Sequence, residues 1–464
     1  MAGLFDGLEL GKRALNTHQL WLNTIGHNIA NVNTPGYTRQ RVNISTTPPQ
    51  ELPQGMVGTG VSADNIRHVR DLFLNRQYRN ENKSLGQWTG QEKILSQIEA
   101  LFTEPNAESL GDLLDKFWAG WSDLANNPES VGARTALKEQ TNLLTSGFHR
   151  IYSNLQDLRK SVDDEIVLTV DNVNSLASEI ALINQQIART ELGGQKANDL
   201  RDRRDYLIDQ LSEFVDVNVA EQKNNTATVY IGSLAIVDGT TSFRIDTRKV
   251  GAGEVTSSEI VWEGTTMTIK NLNGQLKALV DARDQIVPQY LSKLDAMAQA
   301  LITNVNTQHQ KGIGLDGSIG LNFFDPRNFG AATISLNDTI ANNVIKIAAS
   351  KSGEVGDNVN ALAIADLKNA SVLMRNTASL SEFYNSLIGE IGVNTGKAKN
   401  LKENYELLVG QLDNARQSVQ GVSLDEEMAQ MIKYQHAFDA AARVITTMDQ
   451  ALETVIKGMG IVGR

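Results

Sequence analysis

The chain has no cysteine among its 464 residues. This absence excludes a disulfide framework, a thiolate metal site and a cysteine nucleophile together. It permits export from the cell without demonstrating it. The sequence also lacks any run approaching about 18 consecutive apolar residues, so no segment is expected to span a bilayer.

The chain also lacks an excess of positive charge, because its 54 acidic residues outnumber its 43 lysines and arginines and give a net charge of -11. Nucleic acids and anionic membranes both attract basic surfaces, so neither is an expected partner. The segment 1–9 has no basic stretch followed by an apolar core, and no cleaved secretory signal is expected there. The length suggests about two to four domains.

Both ends of the chain carry apolar side chains at a strict seven-residue spacing. The N-terminal series is Leu8, Leu15, Leu22 and Ile29. The C-terminal series is Leu424, Met431, Phe438, Ile445, Leu452 and Met459, with companions at Tyr434, Ala441, Met448, Val455 and Val462. Such repeats are typical of a coiled-coil seam. We therefore expect the two ends to pair with each other and to offer further surface to neighbouring subunits.

Helical periodicity covers most of the chain between these ends. It predicts a helix over 4–31, which stops at the Pro and Gly of the Asn31–Gly36 turn. An extended linker is expected over 45–62. Helices are predicted from about 66 to 213, with a break at Gly193 and Gly194.

The period changes from 3.6 to 2 near residue 214, which predicts short strands and hairpins over 214–274. Helix returns at about 275–311. A Gly-rich excursion over 312–350 contains two candidate strands, at 331–336 and 343–348. The last predicted helices are 357–376, 378–420 and 424–458.

The predicted fold is mainly α with a β insertion, in which the N- and C-terminal helices pair as a coiled coil. An elongated helical-bundle domain and a small β-rich domain lie between them. The expected division is 1–60 with 421–464 for the terminal coiled coil, 61–213 with 275–311 and 351–420 for the helical bundle, 214–274 for the β-rich insertion, and 312–350 for the irregular excursion.

Two terminal motifs resemble a known family. The segment Asn28–Gln40, with the sequence NIANVNTPGYTRQ, is similar to the N-terminal signature of the flagellar rod, hook and hook-associated proteins. The run Gly421–Tyr434, continuing to Met448, resembles the matching C-terminal signature. Internal stretches at 117–134 and 183–205 are similar to the helical domain of the hook-associated members.

The resemblance implies a structural protein of the bacterial flagellum that forms a ring at the hook–filament junction. It implies export through the flagellar type III apparatus without signal cleavage. The implied partners are further copies of the chain, the hook protein and a second junction protein, hook-associated protein 3. We place an export chaperone on the C-terminal helix, because an exposed apolar helix needs covering before export. An isolated helix of this kind is marginal in water, so we expect the ends to order on assembly.

The predicted subunit interface combines the two apolar repeats with the turn inside the N-terminal signature. We call this turn, residues 31–39, the signature turn. Its residues are Leu8, Leu15, Leu22, Ile29, Asn31, Thr34, Pro35, Gly36, Tyr37, Arg39, Leu424, Met431, Tyr434, Phe438, Ile445, Met448, Leu452 and Met459. Ser423 and Glu426 are predicted to cap the last helix, since a serine followed three positions later by glutamate forms a capping box.

No catalytic residue, metal ligand or cofactor site is predicted. Asp199, Asp202 and Asp205 share a helical face that could bind a cation, but the intervening arginines favour local salt bridges. Trp118 and Trp121 stand at i, i+3 and are interpreted as bundle core.

Other functions remain open from sequence alone. One is a secreted coiled-coil adaptor or effector, which would be a small defined oligomer without a flagellar role. Another is an enzyme in the β-rich insertion, which would need a pocket with perturbed acids there. Within the family, a flagellin usually lacks the Asn-Thr-Pro-Gly-Tyr turn, and a hook protein is not expected to carry the long helix at 135–191.

Overall fold

The computed structural model describes residues 4–52, 55–102, 109–252, 255–269, 272–373 and 377–459. Long helices dominate these ranges, and the strands fall in two places, near the N-terminus and in the middle of the chain. The predicted mainly α fold with a β insertion is confirmed. The exact division into domains stays a prediction.

The helices of five or more residues are numbered in chain order. They are α1 (Leu4–Ala30), α2 (Leu72–Phe102), α3 (Leu110–Asn126), α4 (Val131–Thr190), α5 (Asn198–Phe214), α6 (Gly274–Asp281), α7 (Val287–His309), α8 (Asp338–Asn342), α9 (Val359–Ala365), α10 (Leu380–Gln420) and α11 (Leu424–Met459). Short 3-10 turns lie at Glu191–Gly193, Val344–Lys346 and Asp366–Asn369, and a π-helical turn joins α6 to α7 at Ala282–Ile286.

The strands are numbered in the same way. They are β1 (Gln40–Thr46), β2 (Gln50–Leu52), β3 (Gly55–Val57), β4 (Val61–His68), β5 (Val217–Glu221), β6 (Ala227–Ile231), β7 (Leu234–Asp238), β8 (Thr241–Ser242), β9 (Ile245–Ala252) and β10 (Val255–Trp262).

The two terminal helices, α1 and α11, pack against each other in antiparallel fashion. The backbone of Gly7, near the start of α1, lies against the side chain of Met448, near the end of α11. Trp21, further along α1, stacks on Tyr434 of α11 with ring centroids 4.5 Å apart. The expected pairing of the two ends is therefore confirmed. We call this pair of helices the terminal hairpin.

The expectation of an extended linker over 45–62 was wrong. Strands β1 and β4 pair antiparallel from Gln40↔His68 to Thr46↔Val61, and β2 pairs with β3 at the far end. The alternation along β1 and β4 is weak, because Val42 is the only apolar residue in these two described strands that is buried, and Ile44 remains half exposed. Threonine and proline therefore masked a ladder that packs along α1.

The helical domain is built around α2, α3, α4 and α10. Helix α3 begins with a reciprocal capping box between Ser109 and Asp112. Trp118 and Trp121 on this helix are 2% and 0% exposed, which confirms their interpretation as core. The expected break after α4 is also present, since Gly194 adopts a φ of +81° that favours glycine.

Helix α4 is apolar enough over one 18-residue window to satisfy a length and composition test for a membrane span, and half of that window is buried inside the protein. Its buried residues, such as Leu144, Phe148 and Ile166, belong to the main apolar core. The core helix of a folded domain passes the same test, so the burial accounts for the apolar composition of α4.

The β insertion packs on the second half of α4 through buried polar contacts. Strands β5, β6, β7 and β8 form one antiparallel sheet in that order, and β9 pairs with β10. Asn184 of α4 donates to the carbonyl oxygens of Ala227 and Gly239, at 2.8 and 2.7 Å. Asn174 donates to Ile245 O and accepts from Ile245 N. These side-chain amides provide hydrogen-bond partners for backbone N–H and C=O groups of the β insertion that would otherwise be buried without partners.

The irregular character of 312–350 is confirmed, but the two candidate strands in it were wrong. Phe324 and Leu336 form one of three isolated bridges within this segment, and residues 344–346 form a 3-10 turn. The buried guanidinium of Arg134 holds the segment to α4 by donating to Ile347 O at 2.6 Å and to Pro128 O at 2.7 Å. Backbone carbonyls thus find a side-chain donor in place of a neighbouring strand.

We expect the stability of this region to fall as the pH is lowered from 6.5 to 4. His309 is 0% exposed; its Nδ1 donates to Leu321 O at 2.7 Å and its Nε2 accepts from Ala348 N at 2.9 Å. Burial lowers its pKa to about 4. The unfolded chain therefore takes up a proton near pH 6.5 that the folded chain refuses, which costs about 1.4 kcal/mol per pH unit and about 3 kcal/mol in all.

Urea unfolding at pH 7, 6 and 5 measures this dependence. The matched variant His309→Gln keeps a donor and an acceptor but does not titrate, so its stability should change much less over that interval. Equal pH dependence in the two proteins would contradict the assignment.

Candidate assembly site

The terminal hairpin carries most of the predicted interface residues, but its α1 seam differs from the predicted one. The α1 residues that face α11 include Gly7, Gly11, His18, Trp21 and Asn28. Leu8, Leu22 and Ile29 each directly follow a seam residue, Leu15 lies between Gly11 and His18, and all four are half-buried. By this spacing they lie along the edge of the seam, and their place in a subunit interface stays a prediction.

The C-terminal repeat does face α1. Ile445 lies against the backbone of Gly11, where a Cβ atom would come within 2.7 Å of Ile445 Cγ1. Met431, Phe438 and Leu452 share this face by their spacing and are half-buried, like Tyr434 and Met448. The side chain of Met459 and the companion residue Val462 lie outside the described part of the chain.

A different set of apolar side chains on α11 faces solvent. Leu424, Met428 and Ile432, at i, i+4 and i+8, are 45%, 50% and 56% exposed. We call these three residues the outer patch. Leu424 was predicted as an interface residue, whereas Met428 and Ile432 were not. Because the seam residues of α11 are already used within the chain, the outer patch is an apolar surface that the first part of α11 leaves for another molecule.

The signature turn is built around Asn28, which is 1% exposed. Its Oδ1 accepts from Tyr37 Oη at 2.7 Å and from Gln40 N at 2.9 Å. Its Nδ2 donates to Gln40 O and to Glu427 Oε2, each at 3.0 Å. Burial and the carboxylates of the neighbouring elements raise the pKa of Tyr37, so its hydroxyl remains a donor. One amide therefore closes the turn and ties it to α11.

The other predicted residues of the turn divide into buried and exposed. Asn31 accepts from Thr34 Oγ1 at 3.1 Å, and Thr34, Pro35 and Gly36 are exposed to solvent. Gly36 has a φ of +76°, and a Cβ atom there would come within 2.7 Å of Tyr206 Cβ. The turn thus requires glycine for both its backbone conformation and its contact with α5.

Arg39 connects the turn to the start of α11. It is 8% exposed, and its Nη1 donates to Glu426 Oε2 at 2.8 Å while its Nε lies 2.5 Å from Glu427 Oε1. Ser423 Oγ accepts from Glu426 N at 3.5 Å, the outer limit of a hydrogen bond. The side chain of Glu426 therefore binds Arg39, and the capping role of Ser423 and Glu426 stays a prediction.

The turn is also fixed to α5 through Asp202, which is 3% exposed. Its carboxylate accepts from Thr38 N at 2.8 Å and from Thr38 Oγ1 at 2.7 Å. It also lies 3.0 Å from His68 Nδ1 and 3.6 Å from Arg70 Nη2. We call the residues Asn28–Gln40, Asp199–Asp209 and Gln420–Glu427 together the joint. They connect the terminal hairpin to the helical domain.

The expected local salt bridges among the α5 residues 199–205 were largely wrong. Asp205 pairs with Arg70 and lies 3.6 Å from Arg79, while Asp199 lies 3.2 Å from His27. Of the intervening arginines, Arg204 lies 3.9 Å from Asp205, whereas Arg201 binds Glu191 at 2.7 Å. Burial opposes ionisation of Glu191, but this ion pair and the Ala197 amide lower its pKa to about 2. In the described ranges, no three His, Asp or Glu side chains converge to form a metal site.

Comparisons with known proteins bear on this architecture. Residues 95–324 match the family model described as the flagellar hook-associated protein FlgK helical domain. Residues 8–38 match that of the flagella basal body rod protein, and 416–457 match the flagellar basal body rod FlgEFG protein C-terminal model. The two ends and the central body thus match three separate flagellar models.

Full-length relatives are more specific. Flagellar hook-associated protein 1 of Bacillus subtilis is 33% identical over the whole of both chains. The protein of the same name from Escherichia coli is 26% identical over 95% of this chain and 97% of its own. The chain therefore belongs to the flagellar hook-associated protein 1 family.

A solved structure has a similar fold. The structure described as the flagellar hook junction protein FlgK from Burkholderia pseudomallei aligns with a TM-score of 0.65 at 17% identity. It covers 74% of this chain and 100% of the solved one. At this identity the likeness concerns the fold.

Proposed function

We propose that this chain is a structural subunit of the hook–filament junction, which polymerises through its terminal hairpin to join the hook to the filament. Its neighbours are further copies in a ring, the hook protein and hook-associated protein 3. It leaves the cell through the flagellar export apparatus without signal cleavage, with a chaperone on α11, and has no catalytic role. Relatives named flagellar hook-associated protein 1 support this proposal.

The single observation that carries the assembly mechanism is the outer patch. Leu424, Met428 and Ile432 expose roughly half of their surface on a helix whose other face is already packed. Burying the exposed half of such a side chain against a neighbouring subunit contributes about 0.8–1.5 kcal/mol, half of the value for a fully exposed one. The C-terminal apolar repeat packs on α1 within the hairpin, and the outer patch is proposed as the contact with neighbours.

We expect the double variant Met428→Glu, Ile432→Glu to lose hook–filament joining while the monomer stays folded. Both side chains are exposed, so monomer stability should change by about 0.5 kcal/mol or less per site. Two carboxylates at a packed interface should weaken assembly by about 100-fold or more, which corresponds to about 3 kcal/mol. The measurements are urea unfolding of the monomer and filament counts in cells lacking their own hook-associated protein 1.

The control is Ala440→Glu, which adds one charge at an exposed α11 position on a different face of the helix from the outer patch. It should leave filament counts unchanged. Normal filaments on the double variant would show that the outer patch makes no contact that assembly needs.

A further inference from the structure

A cleft of about 600 Å³ lies beside the signature turn. Residues 32–38 of the turn form one wall, and Tyr78 of α2 and Tyr206 of α5 contribute aromatic rings. The end of α10 and the link 420–422 close the remaining side. The contacts described for the joint leave this cleft open.

The charges lining the cleft are not balanced. Arg416 is its one lining cation, and it already binds Asp209 at 2.8 Å and lies 4.3 Å from the Tyr78 ring centroid. Glu213 and Asp413 also line the cleft, and no cation among the described residues lies within 4 Å of either. Partial burial at this wall raises the pKa of Glu213, because it disfavours the ionised carboxylate. An incoming cation would relieve both effects.

A positive site with too few carboxylate partners lies on the ribbon formed by β1 and β4. Arg41 of β1 and Arg67 of β4 stand directly opposite each other in the ladder, and both are exposed. Directly opposed residues share one face of a ribbon, and like charges there destabilise the pairing. Arg41 has Glu426 at 3.8 Å, and no carboxylate in the described ranges pairs with Arg67. The ribbon therefore carries a repulsive pair that an acidic surface would stabilise.

These two sites lie on different sides of the joint. The cleft is lined by residues 32–38, whereas Arg41 lines a separate small cavity with Arg39, Glu427 and Lys433, and the two cavities share no lining residue. The buried side chains of Thr38, Arg39 and Gln40 separate them. A contact between different surfaces of identical chains is heterologous, which is the kind that generates rings and helical tubes.

We infer that Arg41 and Arg67 of one copy enter the cleft of the next copy and pair with Glu213 and Asp413. This inference rests on the proposed function, because it requires the chain to assemble with itself. It adds a polar contact at the base of the hairpin to the apolar contact of the outer patch. It also sets the direction of the contact, since each copy offers its ribbon to one neighbour and its cleft to the other.

Charge reversal tests the contact in cells that lack their own hook-associated protein 1. Arg67→Glu and Glu213→Lys should each reduce the number of filaments about ten-fold or more, and the double variant should recover most of the loss. A matched control reverses Arg244 and Glu263, a pair on the β insertion 3.9 Å apart and well exposed, and should change nothing. If the wild-type chain restores no filaments, the proposed function fails. If the wild type and both single reversals restore them equally, the cleft contact alone is wrong.

Cross-linking tests the same contact without charge reversal, and so it applies even if the reversed variants fail to fold. The chain has no cysteine, so the double variant Arg67→Cys, Gln210→Cys introduces the sole thiols, with Gln210 exposed on the cleft wall. A short bismaleimide added to isolated hook–filament material should give a ladder of covalent multimers. The control Arg67→Cys, Arg244→Cys should give monomers. Monomers alone from the first variant would overturn the inference.

Discussion

A chain that lacks residues 424–464 is expected to fold its helical domain and β insertion but to leave hook and filament unjoined. Among the described residues, the main apolar core extends along the sequence only as far as Ala398, so deleting α11 removes none of it. The deletion does remove the partner of the α1 seam and both carboxylates that hold Arg39. The helical domain and the β insertion should therefore stay folded, whereas the terminal hairpin is lost.

The residual N-terminal helix cannot replace the hairpin. Helix α1 has 27 residues, and its seam would expose Trp21 and Ile25 once α11 is absent. A lone helix of this length gains most of its stability from packing, so α1 should become largely unstructured. Far-UV circular dichroism should lose the contribution of both terminal helices. The thermal midpoint of the remaining domain should change by only a few degrees, in the range that about 1 kcal/mol produces.

Filament counts and swimming in cells without their own hook-associated protein 1 provide the functional measurement. The matched comparison is the full-length chain with Ala440→Glu, which keeps α11 in place and leaves the outer patch unchanged. We expect filaments with that variant and none with the deletion. Normal motility of the deletion strain would refute the proposal that the terminal hairpin joins hook to filament.

The fold was predictable where apolar spacing was strong and one-sided. The C-terminal repeat from Met431 to Leu452 was identified because its members are large and apolar, and they do face α1. The opposing seam on α1 contains Gly7, Gly11, His18 and Asn28, which no hydrophobic pattern selects. Small residues there allow close approach of the helices, so the leucines beside the seam produced the more visible but displaced pattern.

The joint was less predictable because its contacts are polar and distant in sequence. Asn28 lies 399 positions from Glu427, and Thr38 lies 164 positions from Asp202. Sequence spacing suggests partners within a helix turn or two, which is why the α5 acids were assigned to local arginines. The signature turn could be identified as important from its resemblance to a family, but its buried partners follow only from the three-dimensional arrangement.

Replacing Asp202 by alanine should cost about 3–5 kcal/mol of stability at the joint. The substitution leaves the Thr38 amide without its acceptor and Arg70, whose side chain is 10% exposed, with one fewer counter-charge. Arg70 keeps its pairing with Asp205, so most of the cost comes from the two hydrogen bonds that Thr38 donates to this buried carboxylate, which contribute about 1.5–3 kcal/mol each. Asp199→Ala, one helical turn away, should cost about 1 kcal/mol or less, because the side chain of Asp199 is 61% exposed.

Asp202→Ala should lower the stability of the joint more than the stability of the whole protein. Leu207 and Ile208 of α5 belong to the main apolar core, but residues 28–40 and 420–427 of the joint contribute nothing to it. The polar contacts of the turn can therefore open while the helical domain stays folded. Hydrogen exchange of the Thr38 amide should accelerate by about 100-fold or more in Asp202→Ala, since about 3 kcal/mol of local stability corresponds to that factor. Exchange in α3 and α4 should be unchanged. Equal acceleration in Asp199→Ala and Asp202→Ala would mean that burial of Asp202 is not what fixes the turn. An open joint would also let the terminal hairpin change its angle to the helical domain. Asp202→Ala should therefore reduce filament counts although the outer patch is intact.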